Sequence, residues 1–264
     1  MNERSESTVR ALLEAVGFSV RKIPPAQGRT ADFHVQDARH SYLVEVTEKQ
    51  PAENFREFLN RAELEGSATL SRTVDRNDRI DEVVRDKADQ LRRTRSPSDF
   101  NVLWITASDD DAKHLCEVLF RTLYGVADLS AVRKLSNVTE QPRLLTCFYY
   151  DYFSFYRHCD LHGVAFSSAS RVCLFLNTMS QRVEDFRLSD LCNQFALRNG
   201  LIDPGAWASR PDVLFLDLEV NRADEKAKWS ALRSKYGLFA SRLRSSSFEG
   251  RLVVPLPSNG GEAT

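Results

Sequence analysis

Two acidic residues, Asp32 and Glu45, flank a short polar turn, and the alternation on either side of it decides what they can do together. Ala31-Asp32-Phe33-His34-Val35-Gln36 and Ser41-Tyr42-Leu43-Val44-Glu45-Val46-Thr47-Glu48-Lys49 have the period of two of antiparallel strands, with Asp37 to His40 as the polar break. A turn centred between Ala38 and Arg39 pairs residues whose numbers sum to 77, which sets Asp32 opposite Glu45. In that register Phe33, Val35, Tyr42, Val44 and Val46 share one face, while Asp32, His34, Glu45, Thr47 and Lys49 share the other. Opposed carboxylates with Cβ atoms about 5 Å apart repel each other unless a cation, a proton or a partner compensates. A hard dication, Mg²⁺ or Mn²⁺, takes oxygen ligands and keeps several waters. Asp32, Glu45 and the backbone carbonyl of Val46 therefore make an adequate platform for one. Glu14, if the first helix packs over the hairpin, completes such a site directly or through water. A lysine or glutamine beside it would orient an attacking water and steady developing negative charge. Lys49 stands on the acidic face, and Lys87 and Gln90 stand together on a following helix.

The elements that must position these residues are readable in order. From Ser5 or Ser7 to about Val16, Val9, Leu12, Leu13 and Val16 recur at i, i+3, i+4 and i+7, which predicts an amphipathic helix stopped at Gly17. A weak strand at Phe18 to Ile23 ends at Pro24-Pro25. After the hairpin, residues 50–78 are polar and read as an inserted arm or flap with a short helix around Glu53 to Leu64. A helix capped by Asn77 or Asp78 and running to about Arg93 carries the stripe Ile80, Val83, Val84, Ala88 and Leu91, with Lys87 and Gln90 on its flank. Phe100 to Ala107 is apolar without alternation, as in a strand covered on both faces.

This order of helix, three strands, helix and strand, with Asp32, Glu45-Val46-Thr47 and Lys87-Ala88-Asp89-Gln90-Leu91 in place, resembles the PD-(D/E)XK nuclease superfamily, the restriction-endonuclease-like fold. The resemblance covers about Ser5 to Ala107. It implies that Asp32 and Glu45 bind Mg²⁺ or Mn²⁺, that Glu14 assists, and that the substrate is nucleic acid, DNA sooner than RNA, in a bacterial defence or mobile-element setting. It also admits a homodimer, since many nucleases of the superfamily cut both strands that way. This chain departs from the pattern at Thr47, where the family has its lysine, and at Ala31, where the family name has proline. A threonine hydroxyl carries no charge, so the cation has to come from Lys49 or from Lys87; migration of this lysine onto the helix is known in the superfamily. The alternative is a catalytically inactive descendant of the fold that binds nucleic acid or a protein partner.

The expected architecture is an α/β protein. It has a restriction-endonuclease-like core at 1–108, which includes the polar insertion at 50–78, and a C-terminal α/β extension at 109–264 that is free to meet a protein partner. Within the extension, helices are expected at Asp111 to Gly125, Leu188 to Arg198 and Ala223 to Tyr236. Strands are expected at Gly163 to Phe166, Arg171 to Asn177, Asp212 to Glu219 and Arg251 to Pro255. The aromatic run Phe148 to Tyr156 either stacks on bases of a single strand or packs in the core, the commoner fate. Arg92, Arg93 and Arg95 end the lysine-bearing helix, where they can hold phosphates or simply complement the helix C-terminus. His158 and His162 sit at i, i+4 but precede Gly163 without a second ligand pair, which favours a loop over a zinc site.

Bulk composition narrows the class. Thirty-six basic and 37 acidic residues leave a net charge of −1, so any attraction for a polyanion must be local. No apolar run approaches the ~20 residues that a bilayer requires, and the first residues lack the apolar stretch of a secretory signal, so a cytoplasmic protein is expected. The five cysteines form no C-x-x-C pair and read as reduced, mostly buried thiols.

Overall fold

In the computed structural model, α1 (Asn2–Ala15) buries Val9 and Leu13 and leaves Arg10 and Glu14 in water, as its periodicity requires. The residues described are 2–24, 30–94, 100–135, 138–139, 141–244 and 247–253. Pro25, Arg95 and Pro255, all part of the expectations above, lie outside them. β1 (Ser19–Lys22), β2 (Phe33–Gln36) and β3 (Ser41–Lys49) follow as an antiparallel meander. β2 pairs β3 as Phe33↔Val44 and Val35↔Tyr42, the register in which paired numbers sum to 77.

The polar stretch that comes next folds into α2 (Glu53–Glu65) and β4 (Ser67–Thr73), which share a small core of Phe55, Phe58, Ala62 and Ala68. Then come α3 (Asp78–Thr94), β5 (Phe100–Ala107) and α4 (Asp109–Tyr124). β5 runs parallel to β3 and is buried along almost its whole length because both of its faces are covered.

The remaining elements are β6 (Ala127–Leu135), β7 (Val138–Thr139), β8 (Arg143–Phe148), α5 (Ser154–Arg157), β9 (Gly163–Ser167), β10 (Val172–Leu176), α6 (Val183–Arg187), α7 (Asp190–Leu197), β11 (Leu201–Ile202), β12 (Val213–Phe215), α8 (Glu225–Tyr236), β13 (Leu238–Arg244) and β14 (Ser247–Val253). Among the described residues the strands form three sheets. A mixed seven-stranded sheet has the order β1-β2-β3-β5-β9-β10-β11. A second has the order β12-β8-β6-β13 with β7 on β6, and β14 pairs β4. The protein is thus α/β with a mixed central sheet, and strands from residues 163–202 complete that sheet beyond β5.

Two cores sandwich the central sheet. On one face Val9 and Leu13 of α1 and Leu191 and Phe195 of α7 cover Phe33, Val35, Tyr42, Val44, Val46 and Trp104. On the other, Ile80, Val84 and Leu91 of α3 and Leu115 and Leu119 of α4 cover Leu43, Leu103 and Ile105. No helix among the described residues is long and apolar enough to cross a membrane.

β6 and β13 were not anticipated. Ala127, Leu129 and Ala131 do alternate inward, but Asp128, Ser130, Arg133 and Lys134 give the segment little β-propensity by composition, and pairing supplies the rest. The strand expected over Asp212 to Glu219 shortens to β12, parallel to β8.

The passage from α4 into β6 turns on Gly125, whose φ of +59° is left-handed. A Cβ there would lie 2.4 Å from the Asp151 carbonyl oxygen. Gly125→Ala is expected to destabilise the protein by at least ~2 kcal/mol in urea unfolding, from left-handed strain plus the clash with backbone.

Candidate active site

Glu45 projects from β3 toward α3 and is 1 % exposed. A lone carboxylate so placed would cost several kcal/mol, and two of its three neighbours answer it. Lys87 Nζ donates to Glu45 Oε1 at 2.5 Å. Gln90 Nε2 donates to Glu45 Oε2 at 2.8 Å and to the Thr30 carbonyl at 2.6 Å, and its own Oε1 lies 3.4 Å from Lys87 Nζ. Residues 87 and 90 are neighbours at i, i+3 on one side of α3, so a single helix face delivers ammonium and amide to the same carboxylate. The other charges near Lys87 on its own helix are taken elsewhere, Asp86 by Arg85 and Asp89 by Arg92.

Asp32, just ahead of β2, is the third neighbour. Its Oδ2 accepts the Val46 N–H at 2.8 Å, and its carboxyl is close enough to that of Glu45 to act on it. Because a strand residue directs its N–H and C=O to the same edge, the Val46 carbonyl also faces the Asp32 side. Burial, then the adjacent Asp32, push the Glu45 carboxyl up to about 7, against the pull of Lys87. Burial also raises Asp32, and Glu6 adds to the rise, against the hydrogen bond from Val46. One ammonium faces two carboxyls, so the cluster gathers more negative charge than its own residues compensate.

Glu14 is a correction. It is exposed on the far part of α1 and pairs with Arg10 at 2.8 Å, away from the hairpin. The α1 acid that acts on Asp32 is Glu6, buried and bound by Lys22 at 2.6 Å, although α1 itself covers the sheet face opposite to Glu45. Eight residues separate the two, about 12 Å along the helix axis, which is why packing α1 over the hairpin selects only one. The signal for Glu6 was present: it sits three residues before Val9, an acid on the apolar stripe.

Lys49 ends β3, about 13 Å of strand beyond Glu45 on the same face. With Thr47, Ile80, Val83 and Leu119 it lines a cavity of about 260 Å³ between β3, α3 and α4, one helical turn from Lys87. Among the described residues the ammonium that reaches Glu45 is Lys87's. His162 Nδ1 accepts the Asn101 N–H at 2.9 Å inside the core, so the histidine pair at 158 and 162 belongs to packing. All five cysteines are free, and Cys159 alone is exposed.

The donor set suits a small hard dication: two converging carboxylates beside a backbone carbonyl, with charge left to compensate. Among the described residues no group of three or more His, Cys, Asp and Glu side chains is placed to hold a metal. A magnesium site asks for less, since the ion keeps several waters and one or two carboxylates. Comparison with family models, with curated proteins and with solved structures finds no match to this chain.

Between the ordinary value of 4.5 and about 7, the folded chain keeps a proton on Glu45 that the unfolded chain has released. Stability without divalent ions should therefore fall as pH rises through that window. Glu45→Gln should flatten the dependence, gaining about 3 kcal/mol relative to wild type by pH 8 in chelator-treated urea titrations. An equally steep decline in the variant would mean that Glu45 is not the strained group.

Proposed function

We propose that this protein is a metal-dependent nuclease, a phosphodiesterase acting on DNA sooner than RNA, built on a restriction-endonuclease-like core with a C-terminal α/β extension. The observation that carries the reading is the convergence of Asp32, Glu45 and Lys87, with the Lys87 ammonium 2.5 Å from Glu45 and Asp32 bound to the N–H of the next residue, Val46, at 2.8 Å. The cation missing at Thr47 is thereby supplied from α3 to the acid that the hairpin presents.

In this account Asp32, Glu45 and the Val46 carbonyl would hold Mg²⁺ or Mn²⁺. That ion, when bound, supplies an activated water and offsets charge on the phosphate. Lys87 orients the attacking water and faces the oxygen on which negative charge develops. Gln90, tied to the Thr30 carbonyl, fixes the Glu45 carboxylate and holds Lys87 in reach. Lys49, at the cavity beyond Thr47, meets a neighbouring phosphate. The proton on the leaving oxygen comes from solvent.

Thr47 favours a second reading, an inactive descendant that binds nucleic acid or a protein partner without cutting. Incubation with plasmid, single-stranded DNA and RNA separates the two. Cleavage dependent on Mg²⁺ or Mn²⁺ is expected, abolished by Asp32→Ala or Glu45→Ala and lowered about 10²-fold or more by Lys87→Ala. Glu14→Ala should leave it unchanged. Absence of any metal-dependent difference between wild type and the double variant Asp32→Ala, Glu45→Ala would favour the binding module.

A readout free of activity is available as well. Mn²⁺ should raise the melting temperature at pH 8, where the uncompensated charge is greatest, and Glu45→Gln should remove the shift. A shift that survives in the variant would place the ion elsewhere.

A further inference from the structure

The aromatic run from Phe148 to Tyr156 divides in the folded chain. Phe148, Tyr149, Tyr150, Phe153 and Phe155 are buried and hold the inner packing together, with Phe148 stacked on Phe215 at 5.1 Å and Tyr149 on Phe153 at 4.9 Å. Tyr152 and Tyr156 are 48 % and 56 % exposed, unlike the buried aromatic residues around them. Both line one pocket of about 180 Å³, together with Phe153, Arg157, Asn221 and Arg222.

The chemistry of that pocket is one-sided. It offers aromatic faces and two guanidinium groups, Arg157's paired through one nitrogen with Asp81 behind the pocket and Arg222's neutralised by no acid in the lining, and no lining residue carries a carboxylate. Its parts are held in place before any ligand arrives. The Tyr156 ring leans on Phe153 at 5.6 Å, and the Arg157 guanidinium lies 5.7 Å from the centre of the Tyr152 ring. Arg222 donates to the carbonyls of Tyr149, Asp217, Leu218 and Val220, which fixes its charge at the pocket wall. An unpaired nucleotide of a single strand combines a base π-face for the rings with a backbone phosphate for the guanidinium groups, and the volume suits one planar ring system sooner than a duplex.

The place in the fold links this pocket to the carboxylate cluster. Ser154 Oγ and Arg157 Nη1 both bind Asp81 in the first turn of α3, at 2.5 and 3.0 Å, and Arg92 near its far end binds Asp160 at 2.9 Å. The segment that carries Tyr152 and Tyr156 is therefore fastened to the helix that carries Lys87, which lies about 9 Å along the axis from Asp81.

We infer that this pocket binds an unpaired base of a single-stranded polynucleotide, and so holds the strand that the neighbouring carboxylates would cut. The second half of that statement rests on the nuclease reading; base binding does not.

The test uses the full chain in EDTA and fluorescence anisotropy with labelled oligo(dT), oligo(dA) and a mixed-sequence duplex. Wild type should prefer the single strands. Tyr152→Ala and Tyr156→Ala should each weaken that binding by about 5- to 150-fold, while Tyr152→Phe and Tyr156→Phe retain most of it and duplex binding stays the same. Both side chains are exposed, so the alanine variants should melt with wild type by circular dichroism, and a shared melting curve excludes unfolding as the cause. Equal affinity for single strands and duplex, or alanine variants that bind like wild type, overturns the inference. Metal-dependent cleavage that persists in that case leaves the nuclease reading standing. Tyrosine-dependent binding by a protein that cuts nothing has the opposite meaning.

Discussion

A carboxylate buried to 1 % exposure and set against a second one across a two-strand register is a charge that water cannot dissipate. The fold around it is arranged to answer that charge. Lys87 supplies one positive charge, Gln90 supplies an amide donor, and the Val46 N–H takes one oxygen of Asp32. Burial raises both carboxyls, and a neighbouring acid adds to each rise, Asp32 for Glu45 and Glu6 for Asp32. A purely structural ion pair is usually closed by one partner for each charge. Here an acid pair lies together beside Lys87, and the proton that Glu45 keeps up to about 7 relieves part of the repulsion.

The architecture explains how this constellation is held. β3 is bound on both edges, antiparallel to β2 and parallel to β5, so Glu45 has no freedom to slip in register. Apolar residues of β3 alternate between two cores, with Leu43 facing α3 and α4 and Val44 and Val46 facing α1 and α7. α3 buries Ile80, Val84 and Leu91 against the sheet, which turns its flank of Lys87 and Gln90 onto β3. Stability and site geometry therefore depend on the same packing. The segment 152–160 extends the logic outward, because its polar residues anchor to α3 while two of its aromatic rings stay in water.

Much of this was legible in the residues, because it rests on local pattern. The alternation on either side of Asp37 to His40 determines the pairing of β2 with β3, and the burial pattern of β5 follows from its unbroken apolar run. Lys87 and Gln90 could be placed beside the acids because a strong amphipathic stripe fixes the rotation of α3. Glu14 was misjudged for the opposite reason: helix periodicity orients a stripe but does not say which face of a sheet it will cover, and α1 covers the one turned away from Glu45. Strands such as β6 and β13 depend on distant partners more than on their own composition, and the pairing of β4 with β14 joins segments far apart in the chain. The aromatic run was ambiguous as long as its residues were taken together, since burial separates them one by one.

The central claim is that Asp32 and Glu45 are ligands of one small cation. Anomalous diffraction at the manganese edge from crystals soaked in Mn²⁺ tests it most directly. A single peak within coordination distance of both carboxylates, with Lys87 drawn off Glu45, is the predicted result. A map with no peak there, and the Lys87–Glu45 pair intact under saturating Mn²⁺, would contradict it and leave the cluster as a buried ion pair of the fold.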